Sequence, residues 1–212
     1  MYITLKYKNT AMKKFKKENF HNYISAFLEE NSKINLISKN EEKFLWEKHI
    51  FDSLSVSLFF EKYIKDLFGK KLLDIGTGGG FPAVPISIIY PELQVFALDS
   101  IQKKLNSIEN IKSKLKLKNL TTINDRAENI QEKFDIVTVR AVGKLDKIAK
   151  YALPLLKKNG YFVAYKSKTA EEEIKEAQKT LNQFGSKIVD IIEYQLPTEE
   201  IYNRNLVIIK KT

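Results

Sequence analysis

The stretch Leu72–Pro85, LLDIGTGGGFPAVP, constrains this chain more than any other. Three apolar residues, Leu72, Leu73 and Ile75, predict a short buried strand that runs straight into glycines at 76, 78 and 80. Glycine at alternate positions allows backbone angles that side chains forbid and lets a ligand approach the turn closely. Pro82 suits the first turn of a following helix, where a missing N–H costs nothing. A strand, a glycine turn and a helix start together predict a nucleotide-binding loop.

Spacing narrows the ligand. A dinucleotide fingerprint reads G-x-G-x-x-G, whereas this loop reads G-x-G-x-G with Asp74 two positions before the first glycine. It also lacks the G-K-[ST] ending of a P-loop, so no lysine is placed to reach a triphosphate. Acid-x-Gly-x-Gly-x-Gly is the pattern of S-adenosylmethionine-dependent methyltransferases. That ligand carries a sulfonium and an amino-acid end instead of a pyrophosphate, so an acidic group nearby is acceptable. A glycine-rich turn without a ligand is the plain alternative.

The remaining chain alternates. Strand-like runs occur at KLLDI, LQVFALD, NLTTIN, FDIVTV, GYFVAYK, KIVDIIEY and NLVIIKK, with helical patterns at 82–90, 101–117, 144–157 and 169–184 between most of them. Such alternation predicts βαβ units and an α/β fold with a seven-stranded, doubly wound sheet. The last two strands are separated only by a loop, which predicts a terminal antiparallel hairpin. Ahead of this lie two helical patterns, one carrying Phe20, Tyr23, Ile24, Phe27 and Leu28, the other running from Glu41 to Phe60. Residues 1–70 therefore read as a helical cap packed on a core of residues 71–212.

With 212 residues, 43% hydrophobic and 29% charged, the chain is globular in composition. It has no cysteine and two histidines, His21 and His49, which argues against a zinc site. No apolar run is long enough to span a bilayer, and the basic N-terminus lacks a secretory signal's apolar core. A cytoplasmic, metal-free protein without a membrane partner is expected. The net charge of +10 suits a polyanionic partner, although lysine-rich composition alone would also produce it.

In an open α/β sheet the ligand lies beyond the carboxyl ends of the strands, where strand order reverses. Asp99 ends the second alternating strand, placed to bind a ribose or to cap the next helix. Arg126, Ala127 and Glu128 follow the third strand, where they can meet an adenine edge. Arg140 ends the fourth, a costly place for a charge unless it is paired or reaches the surface. Tyr165 and Lys166 end the fifth. His49 and Asp52 of HIFDSL share a helix face and read as a helix-end polar network.

The acceptor is restricted by what is missing. Methylation at pyrimidine C5 needs a cysteine nucleophile, and none is present. Exocyclic amines are typically held by an Asn/Asp-Pro-Pro-Tyr turn, where this chain has VRAV. A ring nitrogen such as guanine N7 already offers a lone pair and needs no general base.

NLISKN, HIFDSL, LLDIGTGGGFPAVPISIIYP, ALDSIQKK and VTVRAV, in that order and spacing, resemble the bacterial 16S ribosomal RNA guanine-N7 methyltransferases, also called glucose-inhibited division protein B. The resemblance covers roughly residues 20–170. It implies a class I methyltransferase fold, S-adenosylmethionine as cofactor, and a guanine of small-subunit 16S rRNA near the decoding centre as substrate. It matches Gly76 and Phe81 to cofactor-loop contacts, Ala127 and Glu128 to the adenine side, and Arg140 to an arginine after the fourth strand. Gly78 and Asp99 join the cofactor set on general grounds, with Arg140 also a catalytic candidate. Lys103, Lys104 and Lys166 match basic positions near the RNA, and the charge is then read as RNA-directed. Ala83 stands where the family usually has glycine, and the first twelve residues have no counterpart. Two competing readings are an RNA-binding protein on an inactive methyltransferase scaffold and a small-molecule or protein methyltransferase.

Overall fold

A computed structural model of the protein describes residues 5–6, 11–167 and 170–212. Its N-terminal part holds β1 (Leu5–Lys6), α1 (His21–Ile34), α2 (Lys39–Glu42), α3 (Asp52–Leu54) and α4 (Val56–Tyr63). The alternating part follows as β2 (Lys71–Ile75), α5 (Ala83–Ile89), β3 (Gln94–Asp99), α6 (Gln102–Leu115), β4 (Leu120–Asn124) and β5 (Phe134–Arg140). It continues with α7 (Leu145–Ala152), β6 (Leu156–Lys166), α8 (Ala170–Gln183), β7 (Ser186–Gln195) and β8 (Asn203–Lys211).

The strands form one sheet in the order β1-β7-β8-β6-β5-β2-β3-β4. β4, β3, β2, β5 and β6 are parallel, and β8 runs antiparallel to both β6 and β7. The seven expected strands and the closing hairpin are all present. An eighth, two-residue strand is added at the edge, where Leu5 and Lys6 pair with Ile192 and Glu193.

Strand residues alternate between two apolar layers, as the pleat requires. Leu73, Val137 and Phe162 pack under α7 and α8 with Leu145, Ala149 and Leu181. Leu72, Ile136, Val163 and Ile208 face the other way and meet Phe27, Phe59, Ile86 and Ile108. The helices of the cap thus share one continuous apolar layer with the sheet.

Local rules explain most boundaries. α1 buries Tyr23, Ala26 and Phe27 at helical spacing and ends at Asn35, whose φ of 50° is a left-handed conformation asparagine tolerates. The polar connector after it is held by buried Asn31, which accepts from the Ile37 N–H at 2.8 Å and donates to Glu42 at 2.7 Å. Two expected helices are shorter than their patterns. The 144–157 pattern stops at Ala152, passes through a single 3-10 turn containing Pro154, and becomes β6, because proline cannot continue a helix ladder. The 41–60 pattern breaks into α2, a wide π turn over Leu45–Phe51, α3 and α4. That turn seats Trp46, Ile50 and Phe51 in the core and presents Lys48 and Asp52 to the end of β5. Among the described residues no helix is long and apolar enough to cross a membrane.

Because Phe27 is fully buried in the layer shared by cap and sheet, we propose that residues 1–70 and 71–212 unfold as one unit. Phe27→Ala is expected to cost about 3–5 kcal/mol. Far-ultraviolet circular dichroism and tryptophan fluorescence should then lose their signals in one coincident transition during denaturant titration.

Candidate active site at the carboxyl ends of the strands

β2 has β3 on one side and β5 on the other, so strand order reverses at its carboxyl end. The glycine loop leaves the sheet there. Gly76 and Thr77 both donate to the Leu98 carbonyl, at 2.8 and 3.0 Å, and Gly80 and Phe81 both donate to the Thr77 carbonyl, at 2.9 and 3.0 Å. Gly76, Gly78 and Gly80 have φ of 69°, 57° and 91°, angles that disfavour any residue with a Cβ.

Asp99 locks this loop to β3. Its Oδ2 accepts the Gly78 N–H and its Oδ1 accepts the Ile101 N–H, each at 2.9 Å. Helix α6 has Ile101, not Asp99, at its N-cap, so the carboxylate shapes the turn before the helix without capping it. Each of its oxygens retains a second lone pair. These groups border a cleft of about 330 Å³ with Ile75, Leu98 and Ala127 as apolar surface and Ser100, Arg126 and Glu128 at its rim. Ala127 and Glu128 open a 3-10 turn, whose first N–H groups have no acceptor within the turn. Gly76, Asp99, Ala127 and Glu128 therefore come together as expected from their strand-end positions.

Tyr151 completes that cleft and was not singled out from the sequence. α7 buries Leu145, Ile148, Ala149 and Ala152, so an aromatic ring at 151 falls off the buried stripe and is 43% exposed. An aromatic residue out of phase with its own helix was the available signal.

A second cleft, about 420 Å³, opens on the other side of the loop that follows β5. Ala141 and Gly143 of that loop have φ of 58° and 68°, and Val142 lies against the glycine turn: a Cβ on Gly76 would meet its Cγ2 at 2.9 Å. A non-glycine residue held at positive φ is strained, and such residues cluster at functional sites. Arg140, immediately before it, donates through Nη1 to the Lys48 carbonyl and to Asp52 Oδ2, both at 3.0 Å. Asp52 is buried and accepts the Tyr194 hydroxyl at 2.6 Å, while Tyr165 donates to the Ser53 carbonyl at 2.7 Å. The polar network expected within HIFDSL thus extends across to the sheet and pairs the arginine in the interior.

Several expected residues lie away from the cleft beside Asp99. Arg140 lines the second cleft and not the one beside Asp99. Phe81 is buried, its ring packed on Phe27 at 5.1 Å and His49 at 5.1 Å and beneath the Arg140 guanidinium, so it joins the loop to the cap. Lys166 donates to Glu173 at 2.6 Å and to the Gly143 carbonyl at 2.8 Å, with its side chain 9% exposed. Packing under α8 turns it inward, where it lines the second cleft. Lys103 is exposed and Lys104 partly exposed on the first turn of α6.

Asp74 does not reach either cleft. It is fully buried, accepts from Thr138 Oγ1 at 3.0 Å, and burial raises its pKa to about 7. A carboxyl whose pKa is raised by folding binds its proton more tightly folded than unfolded. Its stabilising contribution is present at low pH and is lost as pH rises through about 7. Asp74→Asn keeps the Thr138 acceptor and removes the titration. The variant should gain on the wild type by about 2–4 kcal/mol between about pH 4 and pH 8 in urea melts. His49, whose lowered pKa acts in the opposite sense, is common to both proteins and cancels.

Comparison with known proteins agrees with this geometry. The family model GidB, described as rRNA small subunit methyltransferase G, matches residues 16–202. The ribosomal RNA small subunit methyltransferase G of Bacillus licheniformis is 38% identical, over 98% of this chain and 87% of its own length. That of Lactobacillus helveticus is 41% identical, over 92% of this chain and 82% of its own. Among solved structures, TrmN from Thermus thermophilus is similar with a TM-score of 0.60 at 16% identity, covering 77% of this chain and 49% of that one. Precorrin-6y C5,15-methyltransferase from Geobacter metallireducens has a TM-score of 0.56 at 17% identity, covering 84% and 93%. These structural likenesses carry the fold, the class I methyltransferase fold. The chain belongs to the GidB family of rRNA small subunit methyltransferases G, enzymes that take their methyl group from S-adenosylmethionine.

Proposed function

We propose that this protein methylates N7 of a guanine of 16S rRNA near the decoding centre, acting in the cytoplasm on the small ribosomal subunit or an assembly intermediate. The observation that supports this most directly is a pair of clefts at the carboxyl ends of the strands, one lined by Gly76 and the other by Val142, which packs against Gly76. One suits an adenosine and the other can receive an acceptor base.

The residues present fit the cofactor. A Cβ at Gly78 would find only the Gly76 carbonyl oxygen, 3.9 Å away, so the loop backbone there can be approached closely. Asp99 would accept from ribose hydroxyls, Ile75, Leu98 and Ala127 would flank the adenine, and the Ala127–Glu128 turn would offer N–H groups to its edge. When bound, S-adenosylmethionine supplies an electrophilic methyl group. The chain's task is then orientation and exclusion of water. Guanine N7 attacks with its own lone pair and loses no proton, so the base leaves carrying a positive charge. Arg140 would oppose that charge were it free, but Asp52 at 3.0 Å neutralises it. Arg140 in this reading shapes the acceptor cleft and does not act as an acid or base.

The direct test is transfer of labelled methyl to small subunits isolated from cells lacking this protein, with the modified nucleoside identified by mass spectrometry. Label at a guanine N7 in those subunits, and none in subunits already modified, is the expected result. Labelling of another atom or another RNA would replace the proposed substrate.

Two further outcomes separate cofactor from RNA contacts. Gly78→Ala places a methyl group in open space and should cost the fold only about 1–2 kcal/mol while weakening S-adenosylmethionine binding in calorimetry. Replacing both Lys103 and Lys104 by Ala should leave that binding unchanged. It should lower the magnitude of the salt-dependence slope of RNA affinity by about two, one per lost phosphate contact.

A further inference from the structure

The acceptor cleft holds three carboxylates, Glu41, Asp52 and Glu173. Asp52 commits one oxygen to Arg140 and the other to Tyr194. Glu173 binds Lys166 and the Leu145 N–H. Glu41, on α2, is different. Among the described residues its Oε2 receives only a long bond from Ser38, at 3.3 Å, and its Oε1 stands 3.8 Å from His49 Nε2, beyond hydrogen-bond reach. Its side chain is 49% exposed in the cleft.

His49 faces it with an unused donor. The ring's Nδ1 lies 3.3 Å from Arg140 Nη2, and a guanidinium can only donate, so Nδ1 is the acceptor. Burial first, and the charge of Arg140 second, hold the His49 pKa at about 4, so the ring is neutral near pH 7. Its single proton then resides on Nε2, which is buried and without a hydrogen-bond partner among the described residues. A buried donor left unmatched costs free energy and calls for an account. A neutral His49 gives Glu41 no ion pair, so among the described residues the cleft carries a half-exposed carboxylate whose acceptor capacity is largely unused.

We infer that Glu41 reads the Watson–Crick edge of the acceptor guanine. The Glu41 carboxylate accepts from N1–H and the 2-amino group. Guanine is the purine that offers two neighbouring donors on that edge. Adenine would set its N1 lone pair against the carboxylate, leaving the acceptor unpaired. Held by this edge, the base keeps its opposite edge, with N7, free for the methyl group. A carboxylate on the held edge also offsets the positive charge that N7 methylation creates. The assignment rests on the guanine-N7 reading of the activity.

The test compares small subunits reconstituted with 16S rRNA carrying either guanine or inosine at the methylated position, since inosine lacks only the 2-amino group. Wild-type enzyme is expected to lose about 10–100-fold in kcat/KM on inosine, the effect of removing one hydrogen bond to a charged acceptor. Glu41→Ala should fall by at least a similar factor on guanine yet treat the two substrates alike, with S-adenosylmethionine affinity and unfolding midpoint unchanged. Glu41→Gln, which keeps one acceptor oxygen, should lie between them. A Glu41→Ala enzyme that still prefers guanine, or a wild type indifferent to the 2-amino group, overturns the assignment while leaving the activity intact. Absence of any labelling of guanine subunits by wild type overturns the activity reading, and this inference with it.

Discussion

The ion pair between Arg140 and Asp52 joins the last residue of a central strand to the shortest helix of the cap, both largely buried. Removing one partner from such a pair leaves an uncompensated interior charge, at about 3–5 kcal/mol. Asp52 also takes the Tyr194 hydroxyl from β7, on the face of the sheet that the cap covers, so one carboxylate ties β5, β7 and the cap together. The wide turn that delivers Lys48 and Asp52, the inward Phe81 ring and the back of the acceptor cleft all depend on this contact.

The pair also governs how charge is distributed. The chain is strongly basic, with a net charge of +10, yet the interior of the acceptor cleft is close to balanced. Arg140 is matched by Asp52 and Lys166 by Glu173. Exposed lysines lie outside it, Lys103 on α6 and Lys13, Lys16 and Lys17 ahead of α1, beside Met12 and Phe15, which are buried. A surface charge can steer and grip phosphates at long range, while a paired interior charge only shapes the cavity. Those are the two tasks that an enzyme acting on a single base within a long polyanion has to separate.

Much of this was legible because it is written locally. The strand before Gly76, the glycine loop, the strand end at Asp99, the turn at Ala127 after the next strand, and the closing hairpin follow from hydrophobic period and turn chemistry within a few residues. Neither the shortening of α7 nor the break in the 41–60 helix was read in advance, though they differ in kind. Pro154 was a visible stop signal, whereas the π turn has no local signature and answers to Arg140, about ninety residues away. The pairing of Lys166 was not legible for a related reason: a helix from later in the chain lays Glu173 over it.

By itself, then, the sequence determined the α/β alternation, the ligand-binding turn and the class of cofactor, since a glycine at positive φ and an acid at a strand end are requirements of the backbone. Only the tertiary structure decided which side chains look into a cleft and which are spent holding it open. Arg140, Phe81 and Lys166 were all readable as ligand contacts, and packing commits each of them to the protein. Glu41, by contrast, is left half-exposed with hydrogen-bonding capacity that the described residues do not consume. That distinction depends on long-range partners, which residue order alone does not specify.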